Sequence, residues 1–98
     1  MLQNFRTYQL ALDLYKVVRT IPAPAYIRDQ LQRASLSVVL NLAEGSAKPT
    51  PKERRRFYSI ALASLRETQA LLQILDRQEA FQLSDTVGAC LYRLTVPR

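Results

Sequence analysis

Apolar residues recur at three- and four-residue spacing along almost the whole chain and nowhere alternate with period two, so the pattern predicts helices joined by short breaks. The first helix runs from about residue 5 to 20, with Asn4 as candidate N-cap and Phe5, Tyr8, Leu12, Tyr15 and Val18 on one face. It stops at Ile21-Pro22-Ala23-Pro24, where two prolines forbid continuation. A second helix, about 25 to 47, ends at Lys48-Pro49. The third has the strongest start: Thr50 is a good N-cap, Pro51 occupies the first helical position, and Glu53 completes a capping box. Its stripe of Phe57, Ala61, Ser64, Thr68, Leu71 and Leu75, widened by Ile60, Leu65 and Leu72, carries it to about residue 78. Ser84 caps a short fourth helix, about 84 to 95, with Val87, Leu91 and Leu94 at i, i+4 and i+7. Four helices with short connections predict an all-α, up-down bundle, one domain over residues 1–98.

The second helix departs from an ordinary amphipathic pattern. Ile27, Leu31, Ala34, Val38 and Leu42 form a normal stripe for the bundle interior, but Leu36, Val39, Leu40 and Ala43 extend apolar surface round the other side. A lone bundle leaves that second face wet, at a cost of roughly 1.5 to 3 kcal/mol for each large side chain, so these four residues are the expected oligomer interface. The alternative is that the first and last helices cover both sides. Between the two apolar sides, Gln30, Arg33, Ser37, Asn41 and Glu44 share a narrow polar strip. Such a ladder serves either as a ligand groove or as a seam that sets packing register, and nothing in it is chemically unusual, which favours the seam. Glu67, beside the third-helix stripe, is expected to pair with Arg33 across the helix contact.

Composition adds direction to this scaffold. Ninety-eight residues bury only roughly 60 to 65% of their unfolded surface, so self-association helps. Only two Gly among 48% hydrophobic residues favours packed helices over a turn-rich β fold. Fourteen Lys and Arg against eight Asp and Glu give +6, and eleven of the fourteen cations are Arg, whose planar fork matches phosphate and carboxylate. Lys48, Lys52, Arg54, Arg55 and Arg56 surround the start of the third helix, where the helix dipole adds positive potential. Arg55, Arg66 and Arg77 are eleven residues apart, which on one helix returns to nearly the same angle at steps of about 16 Å, a spacing suited to following a phosphate backbone. These seven are the candidate nucleic-acid contacts, and a solvated charged face is the bland alternative. The three Phe and five Tyr show no recognition-motif spacing, so binding is expected to be led by shape and charge.

Catalysis finds little support. The chain has no His, one Cys and no phosphate-binding Gly loop, and the remaining candidate, a divalent ion held by Glu44 and Glu67, is explained more simply by helix-packing salt bridges. No enzyme activity, cofactor or metal is expected. Single Cys90 cannot form an internal disulfide, no apolar run approaches the ~20 residues of a membrane span, and the first residues lack the layout of a secretory signal. The expected location is the cytoplasm, away from membranes.

The segments Gln30-Leu31-Gln32-Arg33-Ala34, Ser37, Asn41-Leu42-Ala43-Glu44-Gly45-Ser46, Lys52-Glu53, Arg56-Phe57, Ile60-Ala61 and Ser64-Leu65-Arg66-Glu67 resemble the bacterial four-helix-bundle family encoded within 23S ribosomal RNA intervening sequences. That family is similar to the accessory variability determinant proteins of diversity-generating retroelements. The resemblance spans about residues 8 to 76. It implies a ring-like homo-oligomer, a pentamer, with a basic surface that engages RNA or DNA, RNA before DNA, and among the retroelement relatives a reverse transcriptase as partner. It implies no enzymatic activity. This chain departs from the pattern at Pro22-Ala23-Pro24-Ala25-Tyr26, which replaces a longer acidic connection, and in its shorter fourth helix. The functional expectation is a non-catalytic, phosphate-led nucleic-acid-binding oligomer. The alternative is a protein-interaction scaffold that docks a partner such as a reverse transcriptase.

Overall fold

The computed structural model describes residues 2–97, with side chains from residue 5 onward. Four helices follow one another, α1 (Leu2–Val18), α2 (Ala25–Ser46), α3 (Pro51–Ile74) and α4 (Gln78–Thr95), and no strand forms among the described residues. Each helix packs on its two sequence neighbours, α4 closes back on α1, and the diagonal pairs are held apart by the core. This is the up-down bundle expected from short connections, a rod of 41 × 21 × 17 Å. The α1–α2 and α3–α4 connections lie at one end, whereas the α2–α3 connection shares the other end with the start of α1 and the finish of α4.

Leu14 and Val18 of α1, Leu31, Val38 and Leu42 of α2, Leu65 and Leu72 of α3, and Val87 and Leu91 of α4 are almost wholly buried along the axis. The expected interior stripe of α2 holds: Leu31, Ala34, Val38 and Leu42 are buried and Ile27 packs against them. In α1 the helix is rotated from the expected face. Thr7, Ala11, Leu14 and Val18 point inward, Tyr8, Leu12 and Tyr15 flank them half-buried, and Phe5 is exposed. The three rings are too bulky for the shared axis and sit at the margins, while Thr7 and Ala11, with Leu14 and Val18, fill it. Helix α1 also begins at Leu2, so Asn4 lies inside the helix and not at its cap.

The start of α3 forms as its sequence dictates. The Glu53 N–H donates to Thr50 Oγ1 at 3.2 Å and Pro51 occupies the first helical position. The end of α3 comes earlier than the stripe suggests. Asp76 adopts a left-handed backbone (φ 57°), the Arg77 N–H donates to the Leu72 carbonyl and the Asp76 N–H to that of Gln73, a Schellman closure that turns the chain at once. Helix α4 therefore starts at Gln78 and not at Ser84, and with 18 residues it is not short. Ser84 sits buried in mid-helix with its hydroxyl donating to the Phe81 carbonyl. Its small polar side chain imitates a cap, and buried Ala80 one turn earlier is too small to mark the helix in a hydrophobic pattern.

Candidate nucleic-acid interface

The topology gathers charge. Dividing the rod at mid-length, the half that holds the α2–α3 connection comprises residues up to 9, 37–62 and 87–97. Its described residues carry seven cations (Arg6, Lys48, Lys52, Arg54, Arg55, Arg56, Arg93) and only two carboxylates (Glu44, Glu53). The other half carries six of each, so the net positive charge of the described chain resides at one end. Arg6 and Arg93, both exposed, join this end only because α1 begins and α4 finishes there. Neither is part of the predicted cluster; counting helices and following their direction is the signal that finds them.

Within the cluster the side chains are not equivalent. Lys48 bridges to Glu44 at 3.1 Å, one turn back on α2, and its ammonium stands 5.1 Å from the centre of the Phe57 ring. The Arg56 guanidinium approaches the same ring at 5.9 Å. Arg54 is half-buried and donates from Nη1 to the Lys48 carbonyl at 2.9 Å, which closes the end of α2. Lys52 and Arg56 are exposed and Arg55 is half-exposed, so these three present the most available charge. The helix start itself contributes few free donors. Pro51 has no N–H, and the N–H groups of Glu53 and Arg54 are taken by the Thr50 side chain and carbonyl.

The expected line of Arg55, Arg66 and Arg77 does not form. Helix α3 ends at Ile74, so Arg77 becomes the residue before α4 at the opposite end of the rod. Arg66 leans across to α4 instead of standing free on the outer face. Its Nη1 donates to Gln69 Oε1 at 2.7 Å, and a side chain at Gly88 would meet that nitrogen at 3.1 Å.

The polar strip is realised only at its centre. Ser37 and Ser64 share a hydrogen bond of 2.8 Å between α2 and α3, and Asn41 Nδ2 donates to the carbonyl and hydroxyl of Ser37 at 2.9 and 3.1 Å. Gln30, Arg33, Glu44 and Glu67 are exposed, and among the described residues Arg33 and Glu67 make no ion pair. Ser37 opposite Ser64 and Gly45 opposite Phe57 set the register, which brings Glu67 level with Arg33 and leaves it on the order of 15 Å along the axis from Glu44. The two carboxylates therefore do not share a site. Of the expected interface residues, Val39 is buried inside this chain's own core, whereas Leu36, Leu40 and Ala43 are exposed, joined by Ile60 across the α2–α3 groove.

Residues 5–89 match the family described as 23S rRNA-intervening sequence protein. The chain belongs to that family. No curated protein and no solved structure is significantly similar to it. Within this intervening-sequence protein the Asn41-to-Gly45 segment has a mechanical reading. Asn41 ties into the Ser37–Ser64 bond, and Gly45 marks a close approach of α2 to α3, since a Cβ there would lie 2.9 Å from a Tyr58 ring carbon and 3.0 Å from Phe57 Cβ. Buried Tyr58, not anticipated from the stripe, fills the space that Gly45 leaves. The segment thus presses the end of α2 onto the start of α3 and holds the basic cluster in one place.

Proposed function

We propose that this protein is a non-catalytic, homo-oligomeric nucleic-acid-binding protein that engages structured RNA in preference to DNA, through phosphate contacts of low sequence specificity. The observation that carries the reading is the concentration of the net charge at one end of the rod, with Lys52, Arg55 and Arg56 as main phosphate contacts and Lys48, Arg54, Arg6 and Arg93 around them. The family's name, which ties it to ribosomal RNA, agrees with it. Oligomerisation rests on Leu36 and Leu40, which are 37% and 57% exposed at mid-rod on α2, and on Ile60, 41% exposed beside them. A ring, with five subunits as the working stoichiometry, and a cytoplasmic location complete the proposal. A second reading draws on the same exposed apolar face: an accessory subunit, akin to the accessory variability determinant proteins, docking a partner such as a reverse transcriptase. Titration of a structured RNA at several salt concentrations tests the first reading. A steep fall of affinity with salt supports phosphate contacts, and a flat dependence or absence of binding rejects them.

A further inference from the structure

The groove between α3 and α4 holds an arrangement that bulk charge does not require. Asp85, Gly88 and Tyr92 follow one another on a single face of α4 at i, i+3 and i+7. Asp85 Oδ1 accepts a hydrogen bond from Gln69 Nε2 at 3.3 Å, and this orients the amide so that its Oε1 accepts from Arg66 Nη1 at 2.7 Å. Gln69 is buried at 7% exposure, so the relay is fixed by packing. Gly88 supplies the floor: a Cβ there would stand 3.1 Å from Arg66 Nη1 and 3.0 Å from Leu65 Cδ2, so its absence lets the guanidinium lie close against α4. One turn further along the same face Tyr92 stands 58% exposed, although a large ring gains from burial. Arg66 spends one N–H on Gln69 and retains other donors of its fork for an anion.

We propose that Tyr92 and the prepositioned Arg66 form a binding site for an unpaired nucleotide of single-stranded RNA, the base stacking on the Tyr92 ring and its phosphate meeting Arg66. Gln69 and Asp85 are positioning residues in this site, holding the guanidinium where the phosphate arrives and removing the entropy cost of ordering it on binding. The inference rests on the nucleic-acid reading above and narrows it: the basic end supplies affinity for any phosphate backbone, and the groove supplies a preference for unpaired bases.

The test is binding of the full chain to a short oligouridylate and to an RNA duplex of equal phosphate number, at fixed salt. Tyr92→Ala is expected to weaken oligouridylate binding about 5- to 100-fold, the range found for loss of one stacked base, with duplex binding unchanged and Tyr92→Phe near the wild type. Gln69→Ala is expected to weaken oligouridylate binding in the wild-type background and to have no further effect once Arg66→Ala is present, a coupling that a merely structural role for Gln69 does not produce. Equal losses on both ligands, or no loss from Tyr92→Ala, overturn the site while leaving the nucleic-acid reading standing. Failure of the wild-type chain to bind either RNA removes both, and binding of polyglutamate in place of RNA assigns the groove to an acidic protein partner instead.

Discussion

The two ends of this rod are built from the same helices and yet differ sharply in charge. At the end with the α2–α3 connection, Gly45 lets α2 press against Tyr58 and Phe57, and seven cations crowd around two carboxylates. At the far end, cations and carboxylates balance, and the chain turns on itself through two prolines and a left-handed Asp76. One connected apolar cluster runs through both. Fold and charge are therefore separable here: the interior specifies a bundle, and the connections decide at which end the net positive charge collects.

Charge reversal at matched numbers of sites breaks the comparison most severely. Replacing Lys52, Arg55 and Arg56 together by Glu is expected to weaken RNA binding by at least about 100-fold at low salt and to lower the salt slope by about 3. The same treatment of Arg19, Arg28 and Arg77 at the balanced end is expected to cost only a few-fold, through long-range attraction that salt screens. Filter-binding or anisotropy titrations at several salt concentrations measure both, and equal losses from the two triple variants reject an end-on interface.

Much of this division could be read in the sequence, and the misses have identifiable causes. The α3 cap and the interior stripe of α2 are local signals, so Thr50, Pro51, Leu31, Val38 and Leu42 fall where their spacing puts them. The arginine line does not form because α3 stops before Arg77, and the Asp76 turn carries no Gly to announce it. Val39 looks spare on a helical projection because the width of α2 covered by α1 and α3 together depends on how closely those helices approach, a tertiary quantity. Arg6 and Arg93 are remote in sequence from the cluster they join, and Gln69, polar and buried, reveals its role only once Asp85 and Arg66 are seen on either side of it.

The close approach at Gly45 gives the next largest effect. Gly45→Ala is expected to destabilise the chain by about 1 to 3 kcal/mol, because the new methyl group meets the ring of a buried Tyr58 that has no room to retreat. Gly88→Ala is expected to cost less, since one of the two side chains it meets is the end of a long Arg66. Urea denaturation of the two variants gives the ranking directly, and a greater loss at Gly88 contradicts the view that the α2–α3 contact is the tighter of the two. Leu40→Glu separates folding from assembly. With Leu40 exposed on this chain, its folding free energy is expected to change by less than about 0.5 kcal/mol, while sedimentation shifts from oligomer to monomer. An unchanged sedimentation coefficient removes this face from the interface.

The smallest effect belongs to the balanced end and bears on why its turn is where it is. Asp76 holds φ 57°, a conformation that costs a residue with a Cβ roughly 1 kcal/mol and Gly nothing. Asp76→Gly keeps both Schellman hydrogen bonds, which use only backbone atoms, and removes a carboxylate from that half. Its gain in the folded state is offset in part by the greater freedom of Gly in the unfolded chain, so the expected net change is stabilising by a few tenths of a kcal/mol. Asp76→Val, with a β-branched side chain at the same φ, is expected to destabilise by about 1 to 2 kcal/mol. Thermal melts of the pair decide the matter: a Val variant as stable as the Gly variant means the α3–α4 turn has rearranged, and Arg77 with it. RNA affinity is expected to rise by less than about twofold in both, because the lost carboxylate lies at the end away from the cationic cluster, where salt screens its effect.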